Sequence, residues 1–211
     1  MCIRDSNNVL YAATRKGLYS SNDGGSTFTT KIYDSNGDDL HFTDVEIAYT
    51  NPTTIYTSYG LFSQSEIWRS NDGGINFFLN LNITGAGRIE MATSKSNPNY
   101  VYASFMDLST NGTGLFGFSS NAGGNWFSNT IPGPSLSGAS TYTGGQAWYD
   151  NILSVDPDNN NNVFAGGIDN FKTTDGGANW TQKTNWYTGT CLLYTSPSPR
   201  DRTRSRMPSS A

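Results

Sequence analysis

The sequence predicts an all-β protein built from short strands and tight turns, and three features support this prediction. Only 14% of the 211 residues are charged, 13% are aromatic and 23 are glycine. Aromatic residues favour strands and glycine favours turns, whereas disordered chains usually have few aromatics and many charges. No stretch shows a 3.6-residue apolar period, so we expect essentially no helix. No apolar run approaches the roughly 20 residues of a membrane-spanning helix.

The two ends of the chain resemble the translation of adapter DNA from a transposase-based sequencing library. Residues 191–201 read Cys-Leu-Leu-Tyr-Thr-Ser-Pro-Ser-Pro-Arg-Asp, and residues 1–6 read Met-Cys-Ile-Arg-Asp-Ser. The adapter strings that encode these stretches are reverse complements, which is what such library preparation leaves around an insert. We therefore assign residues 1–6 and 190–211 to adapter DNA, expect them to be irregular, and expect native sequence at 7–189.

Excluding the two ends changes the charge and the cysteine content. Lys plus Arg falls from 13 to 8 and Asp plus Glu from 17 to 15, so the net charge of residues 7–189, 8 minus 15, is −7 instead of −4. Such an acidic segment disfavours nucleic acid as a partner. Both cysteines, Cys2 and Cys191, lie in the excluded ends. We therefore expect no disulfide, thiol nucleophile or cysteine-based zinc site, and no cofactor or metal.

A fourfold repeat organises residues 7–189. Similar octapeptides occur at 21–28, 70–77, 120–127 and 173–180, and their third positions are spaced by 49, 50 and 53 residues. A short apolar run precedes each octapeptide, namely Val9–Ala12, Ile55–Thr57, Val101–Ala103 and Val163–Ala165. A fixed period of this size is typical of propeller blades or solenoid repeats.

Each repeat reads as four short strands. In the unit from 42 to 83 we predict strands at about 44–49, 54–59, 66–69 and 75–81, because β-branched and aromatic runs alternate with turn residues. Asp-Gly-Gly between the third and fourth strands supplies the positive φ angles of a tight hairpin. The fold class that follows is an all-β partial β-propeller of about four four-stranded blades, an open arc of a ring with seven or more blades.

The octapeptides resemble the Asp-box pattern Ser-x-Asp-x-Gly-x-Thr-Trp, also called the bacterial neuraminidase repeat. Residues 7–187 are similar to Asp-box propellers of the sortilin, xyloglucan-cleaving glycoside hydrolase and photosystem II assembly factor type. The resemblance implies a secreted or cell-surface protein. The octapeptides depart from the pattern in two ways. Ala122 stands at the Asp position of the third octapeptide, and only the first octapeptide retains the Thr, as Thr27.

The octapeptide residues that match the pattern have a structural interpretation. A carboxylate before Gly-Gly accepts hydrogen bonds from turn N–H groups, and the closing aromatic packs between sheets. We assign structural rather than catalytic roles to Asp23, Gly25, Asp72, Gly74, Gly124, Asp175, Gly177 and Trp180. In this alignment Ala122 marks a weakened third turn.

Strand direction separates two faces of the predicted propeller. The tight turns between strands 1–2 and 3–4 share one face, the turn face, and the longer 2–3 and 4–1 connections share the other, the loop face. Binding residues concentrate in loops on a rigid scaffold, so we expect a glycan or protein ligand on the loop face. Tyr59, Trp148, Tyr149 and Asp150 are candidate ligand residues, because an aromatic beside a carboxylate can stack on and hydrogen-bond a sugar. Packing near the central channel is the structural alternative for them.

Other polar residues give weaker cases for a site. His41 is the only histidine, which excludes a multi-histidine metal site. The run Asp34–Asp39 alternates oxygen ligands but lacks the glycine and the final acid of an EF-hand, so a solvated loop is favoured over calcium binding. Asp156–Asn160 predicts a hairpin turn.

Three classes of function fit these features. A non-catalytic binding scaffold is favoured. A glycoside hydrolase needs paired carboxyl groups, and Asp44, Glu46, Glu90 and Asp150 lie on or near predicted inner strands, but no catalytic motif surrounds them. A sialidase uses an arginine triad, and residues 7–189 hold only Arg15, Arg69 and Arg88, of which Arg88 alone begins an inner strand.

Overall fold

The computed structural model describes residues 2–4, 9–33, 41–49, 51–136 and 138–186. Within these ranges the chain forms sixteen β-strands and no α-helix. The strands make four separate four-stranded sheets, and each strand lies beside its neighbour in sequence. This arrangement is a partial β-propeller in which each sheet is one blade. The predicted fold class is therefore confirmed.

The four blades follow one another along the chain. Blade one contains β1 (Cys2–Arg4), β2 (Leu10–Ala13), β3 (Gly17–Ser21) and β4 (Thr29–Tyr33). Blade two contains β5 (Phe42–Ile47), β6 (Ile55–Tyr59), β7 (Ser65–Ser70) and β8 (Phe78–Ile83). Blade three contains β9 (Ala86–Thr93), β10 (Val101–Asp107), β11 (Thr113–Ser119) and β12 (Phe127–Asn129). Blade four contains β13 (Ile152–Val155), β14 (Val163–Gly166), β15 (Asn170–Thr173) and β16 (Thr181–Gln182).

The strands of blade two lie close to their predicted positions, with two shifts. β5 begins at Phe42, two residues before the predicted start, and pairs with β6 from Phe42 opposite Tyr59. β8 begins at Phe78 instead of residue 75, because the turn after β7 occupies residues 71–77. The turn is thus longer than the Asp-Gly-Gly triplet alone suggests.

The head of the chain differs from the expectation that residues 1–6 are irregular. β1 pairs with β2, with Cys2 opposite Ala12 and Arg4 opposite Leu10. The edge of β2 presents a row of N–H and C=O groups, and such an edge pairs readily with an extended segment nearby. This pairing needs no particular sequence, which is why composition did not predict it. The tail at 190–211 lies outside the described residues.

Apolar cores lie between adjacent blades. Their largest buried members are Tyr11, Leu18 and Ile55 between blades one and two, Tyr56, Ile67 and Phe105 between blades two and three, and Tyr102, Phe116 and Tyr142 between blades three and four. β9 and β10 are buried along nearly their whole length, because blade three has a neighbour on both sides. In β13 only Leu153 is buried, since one face of blade four carries no neighbouring blade among the described residues.

One aromatic position recurs at each of these interfaces. Tyr11, Tyr56 and Tyr102 each occupy the second residue of a blade's second strand, and none is more than 2% exposed. Each ring lies against the glycine turn of the following blade. A Cβ on Gly74 would lie 2.7 Å from the Tyr11 hydroxyl, and one on Gly123 would lie 3.1 Å from Cε1 of Tyr56. Glycine is therefore required where a turn closes over the preceding tyrosine.

Candidate functional site

The hairpin turns between the third and fourth strands share one hydrogen-bond pattern. In blade two, Ser70 Oγ donates to Asp72 Oδ1 at 2.7 Å and accepts from the Gly74 N–H at 2.8 Å. Asp72 also accepts the Asn76 N–H at 2.9 Å and the Asn76 amide at 2.8 Å. Asp23 and Asp175 make the equivalent contacts with Thr27 and Asn179. We call the four segments 21–28, 70–77, 119–126 and 173–180 the box turns.

These hydrogen bonds stabilise the charged form of the carboxylates. The pKa of Asp72 falls to about 2 because the backbone and side chain of Asn76 donate to it. The pKa of Asp175 also falls to about 2, through the side chain and backbone of Asn179. Thr27 lowers the pKa of Asp23 in the same way. A carboxylate with this many donors is a turn clamp and a poor proton donor in catalysis.

The third box turn lies one residue earlier than the sequence alignment placed it. Ser119 Oγ donates to Asn121 Oδ1 at 3.0 Å and accepts the Gly123 N–H at 2.8 Å, so Asn121 occupies the aspartate position. Ala122, with a φ of 55°, takes the place of the first glycine. The placement of Ala122 at the aspartate position and of Gly124 as the turn glycine was therefore wrong. Gly123 is the equivalent of Gly74.

An exposed aromatic cluster lies on the loop face. Phe62, in the loop between β6 and β7, lies 5.9 Å from Trp148, and Trp148 lies 5.6 Å from Tyr149, between ring centroids. The exposed fractions of Phe62, Trp148 and Tyr149 are 60%, 41% and 70%. We call these three residues the loop-face cluster. The sequence pattern indicated Trp148 and Tyr149 but not Phe62, which is 86 residues from Trp148.

An ion pair on β9 connects to the loop-face cluster. Arg88 Nη2 lies 2.8 Å from Glu90 Oε2, and Arg88 Nη1 donates to the Tyr149 carbonyl at 2.8 Å. Both charged side chains are largely shielded from solvent. Burial and the nearby Asp44 raise the pKa of Glu90, whereas the Arg88 guanidinium lowers it. The pair fixes the backbone at Tyr149 and thereby the base of the cluster.

Two other carboxyl groups bind one inner strand to the next. Asp44 Oδ2 accepts the Met91 N–H at 2.8 Å, and Glu46 Oε2 accepts the hydroxyl of Thr93 at 2.9 Å. Burial raises the pKa of Asp44 to about 6. Burial and the neighbouring Asp44 raise the pKa of Glu46 to about 8. Both groups satisfy donors at the edge of β9, which accounts for their position without a catalytic role.

The other two predicted ligand residues, Tyr59 and Asp150, are not members of this cluster. Tyr59 packs on Phe42, with ring centroids 5.9 Å apart, and contributes to the core between blades one and two. The Asp150 N–H donates to the Gln146 carbonyl and closes the turn that carries Trp148. His41 has a φ of 49° and its N–H donates to the Arg15 carbonyl. The candidate calcium loop at 34–39 lies outside the described residues. In the predicted hairpin turn at 156–160, Asp156 accepts the Asp158 N–H.

A cavity of about 320 Å³ opens at the turn face between inner strands. Its lining includes Glu46, Tyr49, Thr93, Lys95 and Pro157. The aromatic groups of the loop-face cluster are not among its lining residues. The two surfaces are therefore separate features on opposite faces of the blades.

The sequence matches no protein-family profile and no curated protein. In structure, the chain is similar to an ancestral GH74 enzyme, with 20% identity and a TM-score of 0.65 over 88% of this chain and 24% of that one. A GH74 enzyme from Niastella koreensis is 20% identical, with a TM-score of 0.64 over 87% of this chain and 28% of that one. The α-L-arabinanase of Penicillium chrysogenum is 12% identical, with a TM-score of 0.51 over 86% of this chain and 63% of that one.

The chain spans about a quarter of the length of the GH74 structures that it matches. None of its described segments forms a helix long and apolar enough to cross a membrane. At these identities the similarity concerns the arrangement of strands and blades. The fold of the described residues is a partial β-propeller with the strand and blade arrangement of these structures.

Proposed function

We propose that this chain is part of a secreted or cell-surface Asp-box β-propeller that binds glycan on its loop face without cleaving it. The observation that carries the proposal is the loop-face cluster of Phe62, Trp148 and Tyr149, three exposed rings held within 6 Å of their neighbours. Exposed aromatic groups next to fixed polar groups are typical of carbohydrate sites, since sugar rings stack on them.

The surroundings of the cluster support binding of a neutral, hydroxyl-rich ligand. Trp148 and Tyr149 belong to one connection and Phe62 to another, so the cluster joins two connections, and its ring planes are inclined to one another by 44° and 47°. The Arg88–Glu90 pair is occupied internally and adds little net charge beneath them.

The Asp-box assignment rests on the box turns. Three of them clamp a carboxylate between a Ser or Thr hydroxyl and the backbone four residues later, and the third along the chain does the same with an amide. The four turns recur at third positions 23, 72, 121 and 175. This regularity favours a scaffold whose repeats maintain the fold and whose loops carry the binding function.

A glycoside hydrolase is the second candidate. The similarity to GH74 and arabinanase structures and the raised pKa of Glu90, close to the loop face, favour it. A hydrolase needs two carboxyl groups roughly 5–10 Å apart around one glycosidic bond. Asp44 is fully buried and both of its oxygens accept backbone N–H groups, so it does not serve as the second. A sialidase is disfavoured, since Arg69 lies beside Tyr56 at the turn-face end of β7, away from Arg88.

The test is binding of the chain to a panel of xyloglucan, β-glucan, arabinan and sialoside oligosaccharides by isothermal titration calorimetry. We expect binding to at least one oligosaccharide, and we expect Trp148→Ala to weaken it by roughly tenfold. Tyr49→Ala is the matched control, because Tyr49 is an exposed aromatic on the turn face. An affinity that Tyr49→Ala lowers and Trp148→Ala leaves unchanged contradicts the assigned site.

The same panel separates binding from hydrolysis. We expect no release of reducing ends from any oligosaccharide. Turnover that Glu90→Gln abolishes, with binding retained, would establish the hydrolase candidate in place of the scaffold.

A further inference from the structure

Arg88 on β9 contacts both of the connections that supply the loop-face cluster. Its backbone N–H donates to the Leu61 carbonyl at 3.1 Å, and Leu61 directly precedes Phe62. Its guanidinium donates to the Tyr149 carbonyl at 2.8 Å through Nη1 and to the Asn151 carbonyl at 3.3 Å through Nη2. One residue of blade three therefore joins the loop that carries Phe62 to the segment that carries Tyr149.

The two halves of the loop-face cluster are held in different ways. The loop that carries Phe62 packs closely on β9 through its backbone, since a Cβ on Gly87 would lie 2.6 Å from the Leu61 carbonyl oxygen. The Tyr149 carbonyl, in contrast, is held by the Arg88 side chain. The position of the Tyr149 segment relative to the Phe62 loop therefore depends on how the guanidinium is oriented.

Glu90 orients the guanidinium and is itself surrounded by other titratable groups. Glu90 Oε2 accepts a hydrogen bond from Arg88 Nη2 at 2.8 Å. Asp44 and Glu46 on β5 interact with Glu90, as does Tyr142 on the connection before β13. Burial and the Asp44 charge raise the pKa of Glu90 above its ordinary 4.5, and the Arg88 guanidinium opposes this. A hydrogen bond between two charged groups is stronger than one with a neutral partner, so a proton on Glu90 weakens its hold on Arg88.

We propose that Arg88 is the positioning residue of the loop-face glycan site and that the charge of Glu90 controls it, so that binding weakens when Glu90 takes up a proton. This inference rests on the glycan-binding function proposed above. Ionised Glu90 holds the guanidinium against the Tyr149 carbonyl and keeps Trp148 beside Phe62. Neutral Glu90 lets the guanidinium turn away from that carbonyl. A ligand must then order the rings itself, and this ordering lowers the affinity.

The first test follows the Trp148 ring by fluorine NMR of the chain labelled with fluorotryptophan, without any ligand. The resonance that Trp148→Phe removes is assigned to Trp148, and the other tryptophan resonances serve as internal controls. We expect the Trp148 resonance to shift as the pH falls from about 8 to 4.5, the interval in which the raised pKa of Glu90 places its titration. Glu90→Gln should abolish the shift. Glu46→Gln should keep it with a midpoint at lower pH, because Glu46 raises the pKa of Glu90. A wild-type resonance that does not respond to pH, or a response that Glu90→Gln leaves intact, overturns the proposal.

The second test measures affinity by calorimetry over the same pH range, with the xyloglucan, β-glucan, arabinan and sialoside oligosaccharides of the panel. We expect the wild type to bind about fivefold more weakly at the acid end than at the alkaline end. Glu90→Gln should show the weak affinity throughout. Arg88→Lys loses the planar fork that reaches two carbonyls and should also weaken binding, whereas Arg69→Lys, on β7, is the matched control and should not.

The two tests separate this inference from the proposed function. If no oligosaccharide binds, the glycan-binding function is wrong, and the fluorine spectra alone decide whether Glu90 positions Trp148. If an oligosaccharide binds with an affinity that is the same at both ends of the pH range, control of the site by Glu90 is wrong although the function stands. Circular dichroism at each pH verifies that the wild type and the variants are folded.

Discussion

At the scale of single residues, the box turns differ in how many donors the clamping side chain accepts. Asp72 uses both carboxylate oxygens, one for Ser70 and the Asn76 N–H and the other for the Asn76 amide. Asn121 has only one acceptor oxygen, which accepts the Ser119 hydroxyl and the Asn125 N–H. The third turn therefore retains the geometry of the clamp with fewer and weaker bonds, since bonds to a charged acceptor are stronger.

We expect Asn121→Asp to stabilise the protein. The added carboxylate meets the same N–H donors that lower the pKa of Asp72 to about 2. We expect the thermal midpoint at pH 7 to rise by about 2–3 °C. Because the folded-state pKa is lowered, the gain should be complete above the ordinary pKa of an aspartate and disappear as the pH falls towards 2. Asp72→Asn is the reciprocal control and should lower the midpoint. A midpoint that Asn121→Asp lowers contradicts this account.

The third turn also shows why the alignment of the octapeptides was wrong by one residue. Alignment on the Gly-Gly pair placed Ala122 at the aspartate position, because alanine rarely adopts a left-handed conformation. In the structure Ala122 has a φ of 55° and stands where the other turns have their first glycine. Only the hydrogen bonds of Ser119 and Asn121 reveal the register. The aspartates themselves were recognisable from sequence because their spacing repeats.

At the scale of strands and turns, the contact between a tyrosine and the next blade's box turn joins each pair of blades. The Tyr11 hydroxyl donates to the Gly73 carbonyl, and its ring fills the space that a side chain at residue 74 would need. A Cβ on the adjacent Gly73 would meet no atom within 4 Å, although the φ angles of Gly73 and Gly74 are nearly identical, 70° and 77°. Substitutions at the two glycines therefore share the cost of backbone strain, and only a substitution of Gly74 adds crowding at the interface.

We expect Gly74→Ala to destabilise the protein much more than Gly73→Ala. Both substitutions force an alanine into the left-handed region, at a cost of about 1–2 kcal/mol. Gly74→Ala also drives a methyl group into the Tyr11 hydroxyl, and crowding of this kind adds about 1–3 kcal/mol. Urea unfolding of the two variants measures the difference. If Gly74→Ala and Gly73→Ala lose equal free energy, the tyrosine contact does not constrain the turn.

At the scale of the whole molecule, the acidic groups fall into two sets with opposite effects on stability. Hydrogen bonds lower the pKa values of the box-turn aspartates, so those groups favour folding at neutral pH. Burial raises the pKa values of Asp44 and Glu46 between the inner strands. Their contribution to folding is therefore complete only when they are protonated. Together, the two effects predict that the protein is most stable at a pH below 7.

We expect the thermal midpoint to fall as the pH rises from about 4.5 to about 8. Glu46 has a folded-state pKa of about 8 against an ordinary 4.5, so its stabilisation is present below 4.5 and is lost as the pH rises through 8. Glu46→Gln keeps an acceptor for the Thr93 hydroxyl and removes the titration. The variant should show a flatter midpoint curve and exceed the wild type at pH 8. A curve with the same slope in both proteins would contradict the role of Glu46.

The sequence predicted the fold well and the candidate site only in part. Repeats, turn glycines and strand-forming runs are local features, so the four blades and most strand positions followed from them. The loop-face cluster depends on which loops converge in space, and Phe62 joins Trp148 from another blade. Tyr59 looked equivalent to Tyr149 in sequence, yet it packs on Phe42. Convergence of distant loops is a property of blade geometry, and neither loop alone determines it.

The blade-to-blade contact has a direction, and that direction has a consequence for biosynthesis. Tyr11, Tyr56 and Tyr102 are each covered by a turn that lies later in the chain. The covering glycines Gly74, Gly123 and Gly176 follow their tyrosines by 63, 67 and 74 residues, so at 5–20 residues per second roughly 3–15 s of translation pass before the ribosome delivers the cover for a ring. While these blades are being synthesised, the growing chain thus carries at least one bare aromatic, and two for part of the time. Molecular chaperones that recognise exposed rings would meet this protein once per blade, at a regular interval set by its own repeat length.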